Sequence, residues 1–167
     1  MYDRVGHSSW RESTVYELAS WKNGLAFKNI DFSLTGRPVI KIAELKSGVT
    51  AQTARTNGEY DPSVFVCSGD MLFSWSGNPD TSIDVFRWER EDGWLNQHIF
   101  KVTPRPGADE EFLFFMLRWL RPRFAEIARN KQTTGLGHVT IQDLKRMVVG
   151  VPDLSEQRQI VSTICPF

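Results

Sequence analysis

The sequence is poor in what most enzyme sites are built from. Its two cysteines, Cys67 and Cys165, lie far apart. That argues against a disulfide framework or a zinc site and fits a reducing cytoplasm. The three histidines, His7, His98 and His138, show no metal-ligand spacing. No G-x-S-x-G and no phosphate-binding P-loop occurs. No apolar run approaches the roughly 18 residues of a membrane helix, and the opening MYDRVGHSSWRES has no signal-peptide core. Repeats and low-complexity segments are missing as well. An excess of one charge is also absent, because 20 basic residues balance 20 acidic ones. A general electrostatic binder of nucleic acid would be basic overall.

What is present is a globular composition. Apolar residues make up 41% of 167, enough for one domain with a core of its own. The charge is unevenly placed. Arg118, Arg121, Arg123, Arg129 and Lys131 are interrupted by one acid, Glu126, so a local basic face is expected without a basic whole.

The stretch from Gly69 to Val102 organises the chain. Met71-Leu72-Phe73 runs into a polar tip, Ser74-Trp75-Ser76-Gly77, and Leu95 to Val102 returns as a second β-rich run. Such a pair forms a scaffold that presents side chains at its end. Residues 1–13 read as a loose segment, residues 14–154 as the domain, and 155–167 as the start of a helix. Further strands are expected at Thr14–Leu18, Val39–Leu45, Val64–Cys67, Ile83–Trp88 and Val148–Val151. Asp109 caps a helix over 110–121, Pro122 forces a restart, Thr140 caps a helix over 141–147, and Ser155 caps the last. The fold class is therefore α+β, with a curved, mostly antiparallel sheet and a helical C-terminal third.

Candidate chemistry is sparse. Asp31 with Glu44-Leu45-Lys46 has the spacing of a metal-dependent nuclease: two carboxylates for Mg²⁺ and a lysine to polarise water. The same residues also read as a strand ending in solvated charge. Asn78-Pro79-Asp80 lacks the second proline and the aromatic of a base-methylating loop. His98 reads as a structural histidine in an apolar strand. The tryptophans are core by default, except Trp75, whose neighbours are serine and glycine at a turn. The loop Arg129–His138 supplies cations, amides and hydroxyls, the groups that bond phosphates and base edges. It equally suits an ordinary solvated loop.

Several segments taken together carry a resemblance. They are Gly36 to Gly48, Gly69 to Gly77, Leu95 to Val102, the Thr133–His138 loop, Asp143-Leu144-Lys145, and Val151-Pro152-Asp153-Leu154-Ser155-Glu156-Gln157 with Ile160. In this order and spacing the chain resembles the target-recognition domain of the specificity subunit of type I restriction–modification systems. The resemblance implies a non-catalytic module that reads double-stranded DNA in the cytoplasm. It implies Ser74, Trp75 and Ser76 near bases or sugar, Lys131, Thr133, Thr134 and His138 on backbone or bases, and Lys22 and Lys46 as weaker phosphate contacts. No cofactor is expected on this chain. S-adenosylmethionine would belong to a modification methyltransferase subunit, and ATP and Mg²⁺ to partner subunits that include a restriction translocase. A family half-unit continues into a long spacer helix, and this chain reaches only about ten residues into it. A truncated spacer helix is thus expected, with a second specificity half as a possible partner. Two other readings stand beside this one: the nuclease of Asp31, Glu44 and Lys46, and a truncated assembly partner that reads no DNA.

Overall fold

The computed structural model describes residues 10–165. In chain order the strands and helices of the first half are β1 (Arg11–Thr14), β2 (Ala19–Asn23), β3 (Arg37–Ile40), α1 (Ile42–Ser47), β4 (Arg55–Thr56), β5 (Phe65–Val66), β6 (Met71–Ser74), β7 (Ser76–Gly77) and β8 (Asp84–Arg87). The second half holds β9 (Gly93–Leu95), β10 (Ile99–Pro104), α2 (Glu110–Trp119), α3 (Arg121–Arg129), β11 (Gly137–His138), α4 (Ile141–Arg146), β12 (Val148–Val151) and α5 (Leu154–Ile164). The class is α+β with a helical C-terminal part, as expected.

The centre is a four-stranded antiparallel sheet in the order β2-β10-β6-β8. Side chains alternate along each strand, so this sheet has two working faces. Met71, Phe73, Val85, Phe100 and Val102 point into one core, against Leu113, Leu117, Leu120 and Phe124 of the helical layer. Phe73 and Phe124 meet edge to face at 4.9 Å. Leu72 and Ile99 point to the opposite face, where Ile40, Val66, Trp94 and Leu95 of a second sheet form another core. That sheet has the order β4-β3-β9-β5, with β3 and β9 parallel. Each fully buried leucine or phenylalanine contributes about 1.5–3 kcal/mol on transfer from water. The two cores therefore fix the central sheet from both sides.

The helical layer forms where the sequence pattern places it. The Asp109 carboxylate accepts from the backbone N–H groups of Glu111 and Phe112, each at 3.1 Å. It thereby satisfies two of the donors that a helix start leaves free. Pro122 sits in the first turn of α3, where its missing N–H costs nothing. The expected restart is thus a break between two helices. The buried amide of Gln157 joins this layer to the start of α5. It donates to the carbonyls of Gly107 (2.8 Å) and Pro152 (2.9 Å) and accepts from the N–H of Asp109 (2.7 Å).

Four expectations need correction. The strand expected over Val39–Leu45 ends at Ile40, because the Glu44 carboxylate accepts from the Lys41 N–H (3.0 Å) and starts α1. Thr14–Leu18 is the end of β1 followed by a 3-10 turn, Tyr16–Leu18. Leu95–Val102 is two strands broken by a turn at Gln97-His98, where His98 has φ +73°. The cap of α5 is Asp153, which accepts from Glu156 N–H at 2.9 Å, and Ser155 lies inside the helix. Of the segment expected to be loose, residues 1–9 lie outside the described residues. Arg11–Thr14 pairs with β12.

Candidate nucleic-acid interface

The last residue of β2, the first of β10 and the last of β6 lie at the same end of the central sheet. Three connections meet there: the turn after Asn23, the turn Asn96-Gln97-His98, and the tip Trp75-Ser76-Gly77. A fourth segment joins them from far along the chain. Strand β11 pairs antiparallel with β7, setting Gly137 against Gly77 and His138 against Ser76. The Val139 N–H extends this ladder to the Trp75 carbonyl at 2.8 Å, while the Trp75 N–H donates to the His98 carbonyl at 3.1 Å. The tip and the polar loop, separate candidates in the sequence, are thus one surface.

Two glycines make the junction possible. Gly77 has φ +118°, a conformation that side chains resist, and a Cβ there would fall 2.8 Å from the Ser82 Cβ. A Cβ on Gly137 would fall 2.3 Å from the Ala128 carbonyl oxygen at the end of α3. The loop between α3 and β11 is closed by Gln132, whose side-chain amide donates to the Gly135 carbonyl at 2.8 Å. Thr133, Thr134, Gly135 and Leu136 stand exposed at its crest.

Trp75 is half-buried and held on three sides. Its ring stacks on Phe100 with centroids 5.7 Å apart and meets the edge of His98 at 5.0 Å. Its indole N–H donates to the Asn23 side-chain oxygen at 2.9 Å. Trp75 therefore packs and also carries a polar partner out to the surface. Among the tryptophans, Trp88 and Trp94 are buried as the default reading expects, whereas Trp119 is 57% exposed.

The other expected contact residues are distributed as follows. Ser76 and His138 lie partly exposed on the β7–β11 ladder. Ser74, expected near bases, is fully buried inside the sheet and cannot reach a ligand. Lys22 is exposed beside Asn23. Lys46 donates to the Ser82 hydroxyl at 2.9 Å. Lys131 pairs with Asp143, which also caps α4 by accepting from the N–H (2.7 Å) and hydroxyl (2.8 Å) of Thr140. Burial pushes the Asp143 carboxyl up, but the hydrogen bonds from Lys131 and Thr140 outweigh it and hold it below the usual carboxylate range.

The basic face expected over 118–131 is largely neutralised within the protein. Arg129 pairs with Asp80, and Arg121 donates to the Asp80 carbonyl at 2.8 Å. Arg121 and Arg118 lie 3.4 and 3.9 Å from the buried Asp84 carboxylate. Sequence reasoning found the bases but not these partners, which lie 34 to 49 positions away on the loop from Asp80 to Asp84. It also passed over Asn23 and Gln97. The turn signal Asn23-Gly24 was visible, but its place beside Trp75 was not.

The nuclease residues do not converge on a cation site. Asp31 accepts from the Lys28 N–H at 2.7 Å within its own turn. Glu44 uses one oxygen on Lys41 and the other on the Thr53 hydroxyl at 3.1 Å, and Lys46 is turned to Ser82. Among the described residues, no three acids, histidines or cysteines gather where they could hold a metal. No helix among them is long and apolar enough to cross a membrane.

Comparison with known proteins bears on the chain as a whole. A family model described as the type I restriction modification DNA specificity domain matches residues 7–167. No curated protein matches the chain. Among solved structures, the HsdS subunit from Thermoanaerobacter tengcongensis is similar with a TM-score of 0.69 at 18% identity, over 95% of this chain and 37% of that one. A chain from a structure on complex assembly and conformational transition of the type I R-M system gives 0.67 at 17%, over 94% and 37%. The type I restriction–modification S subunit from M. genitalium gives 0.63 at 18%, over 95% and 39%. The chain thus spans less than two-fifths of the length of these S subunits.

Proposed function

The chain belongs to the type I restriction modification DNA specificity domain family, and on that premise we propose that it is a target-recognition domain. It reads a short half-site of double-stranded DNA through the major groove with the loops at the end of the central sheet. The observation that supports this most is the β7–β11 ladder. It joins the loop that carries the exposed Thr133 and Thr134 to the tip, with Ser76 opposite His138, and Trp75 links that tip to Asn23. Hydroxyls, amides and imidazoles suit base edges and sugar-phosphate oxygens. Lys22 supplies a phosphate contact, and Lys131 acts as the brace of the loop.

In this reading the chain performs no chemistry. A modification methyltransferase subunit holds S-adenosylmethionine, the restriction translocase holds ATP and Mg²⁺, and a second specificity half reads the other part of the target. With the bases of 118–131 mostly paired to aspartates of the same chain, much of the phosphate contact falls to those partners. The test is selection from a randomised duplex pool at fixed moderate salt, by the full chain with its methyltransferase partner. Enrichment of one short motif supports the reading. Failure to enrich any motif overturns it.

A further inference from the structure

The contact between Trp75 and Asn23 does more than pack a turn. An indole N–H can only donate, so the Asn23 amide must present its oxygen to Trp75. That choice fixes which end of the amide is free. Asn23 is exposed, and its NH₂ group makes no hydrogen bond among the described residues. Trp75 is itself prevented from turning by Phe100 beneath it and His98 at its edge. The amide is therefore a pre-oriented pair of donors at the sheet end, next to the exposed Lys22.

We propose that Asn23 is a base-reading residue whose orientation Trp75 fixes, so that it donates to an acceptor in the major groove, such as purine N7, guanine O6 or thymine O4. Cytosine presents an N4 donor there and is rejected at this position. The proposal rests on the DNA-reading function above and adds which residue reads and with which polarity. Trp75 is a positioning residue in this arrangement, because its effect on the base passes through Asn23.

The test repeats the pool selection with Asn23→Asp and Trp75→Phe in the full chain with its methyltransferase partner. Aspartate keeps an acceptor for the indole but offers acceptors alone to the DNA. The expected result is that preference changes at one motif position only, with the original base losing about tenfold and cytosine gaining. Trp75→Phe keeps a ring on Phe100 but releases the amide to flip. The same position then loses its preference while the others keep theirs. An unchanged motif with Asn23→Asp overturns the proposal. Uniform weakening across all sequences also overturns it, since that marks a phosphate contact. If the unsubstituted chain enriches no motif, the underlying reading has failed as well, and the two failures are thereby told apart.

Discussion

The basic segment from Arg118 to Lys131 and the end of the central sheet are neighbours that use charge in opposite ways. Along 118–131 the sequence places its densest cluster of bases, yet Arg118, Arg121, Arg129 and Lys131 all face aspartates of the same chain. At the sheet end there is little charge, but Asn23, Gln97, Thr133 and Thr134 are exposed. Positive charge here serves to lock the Asp80–Asp84 loop and the 132–138 loop to the helices. What remains for a ligand is chiefly hydrogen bonding, which discriminates between bases better than it attracts a polyanion. A count of arginines alone would point to the basic segment instead of the sheet end.

The comparison breaks most severely at Gly137. Replacement by alanine drives a Cβ into the Ala128 carbonyl. It should cost about 3 kcal/mol in a denaturant melt and abolish motif enrichment, since both halves of the surface separate. A neutral Asp143→Asn should come next. It loses a charge-assisted bond to Lys131 and weakens the α4 cap, at about 2 kcal/mol near neutral pH. The sign of the pH effect follows from the lowered carboxyl. Stability from this group is complete above its unfolded pKa of about 3.9 and is lost as pH falls through the lower folded value. The gap between the two proteins should close in melts taken below about pH 4.

Smaller effects sharpen the contrast. Asp80→Asn removes an exposed partner of Arg129, so stability should change by about 1 kcal/mol or less. The freed arginine should raise affinity for unrelated DNA and steepen the salt dependence by about one unit. Lys131→Ala gives the reverse signature. It should weaken binding by loosening the loop, yet leave the salt slope unchanged, because its charge is already spent on Asp143. A slope reduced by about one unit would show that Lys131 touches phosphate after all.

How much of this was legible depended on the range of the interaction. Asp109 and Thr140 announce their helices, and Pro122 its break, because caps and breakers act within one turn. Glu44 carried such a signal too, but the β-branched Val39 and Ile40 before it drew the expected strand onward to Leu45. The interruption at His98 has no glycine to mark it, only a strained backbone. The Ser76–His138 and Asn23–Trp75 contacts join residues 62 and 52 positions apart. Nothing local encodes those pairings. Gln157 is intermediate: its place in the Pro-x-x-x-Glu-Gln pattern was noticed, but its three bonds across the connector and two helix starts required the fold.

The most direct measurement is amide hydrogen exchange on the full chain with the proposed methyltransferase partner, with and without a duplex carrying the selected motif. The account requires DNA-dependent protection at 23–24, 96–98 and 132–138, with 121–129 unchanged. Protection along 121–129 with the sheet end unaffected would contradict it, and would return the contact surface to the basic helix.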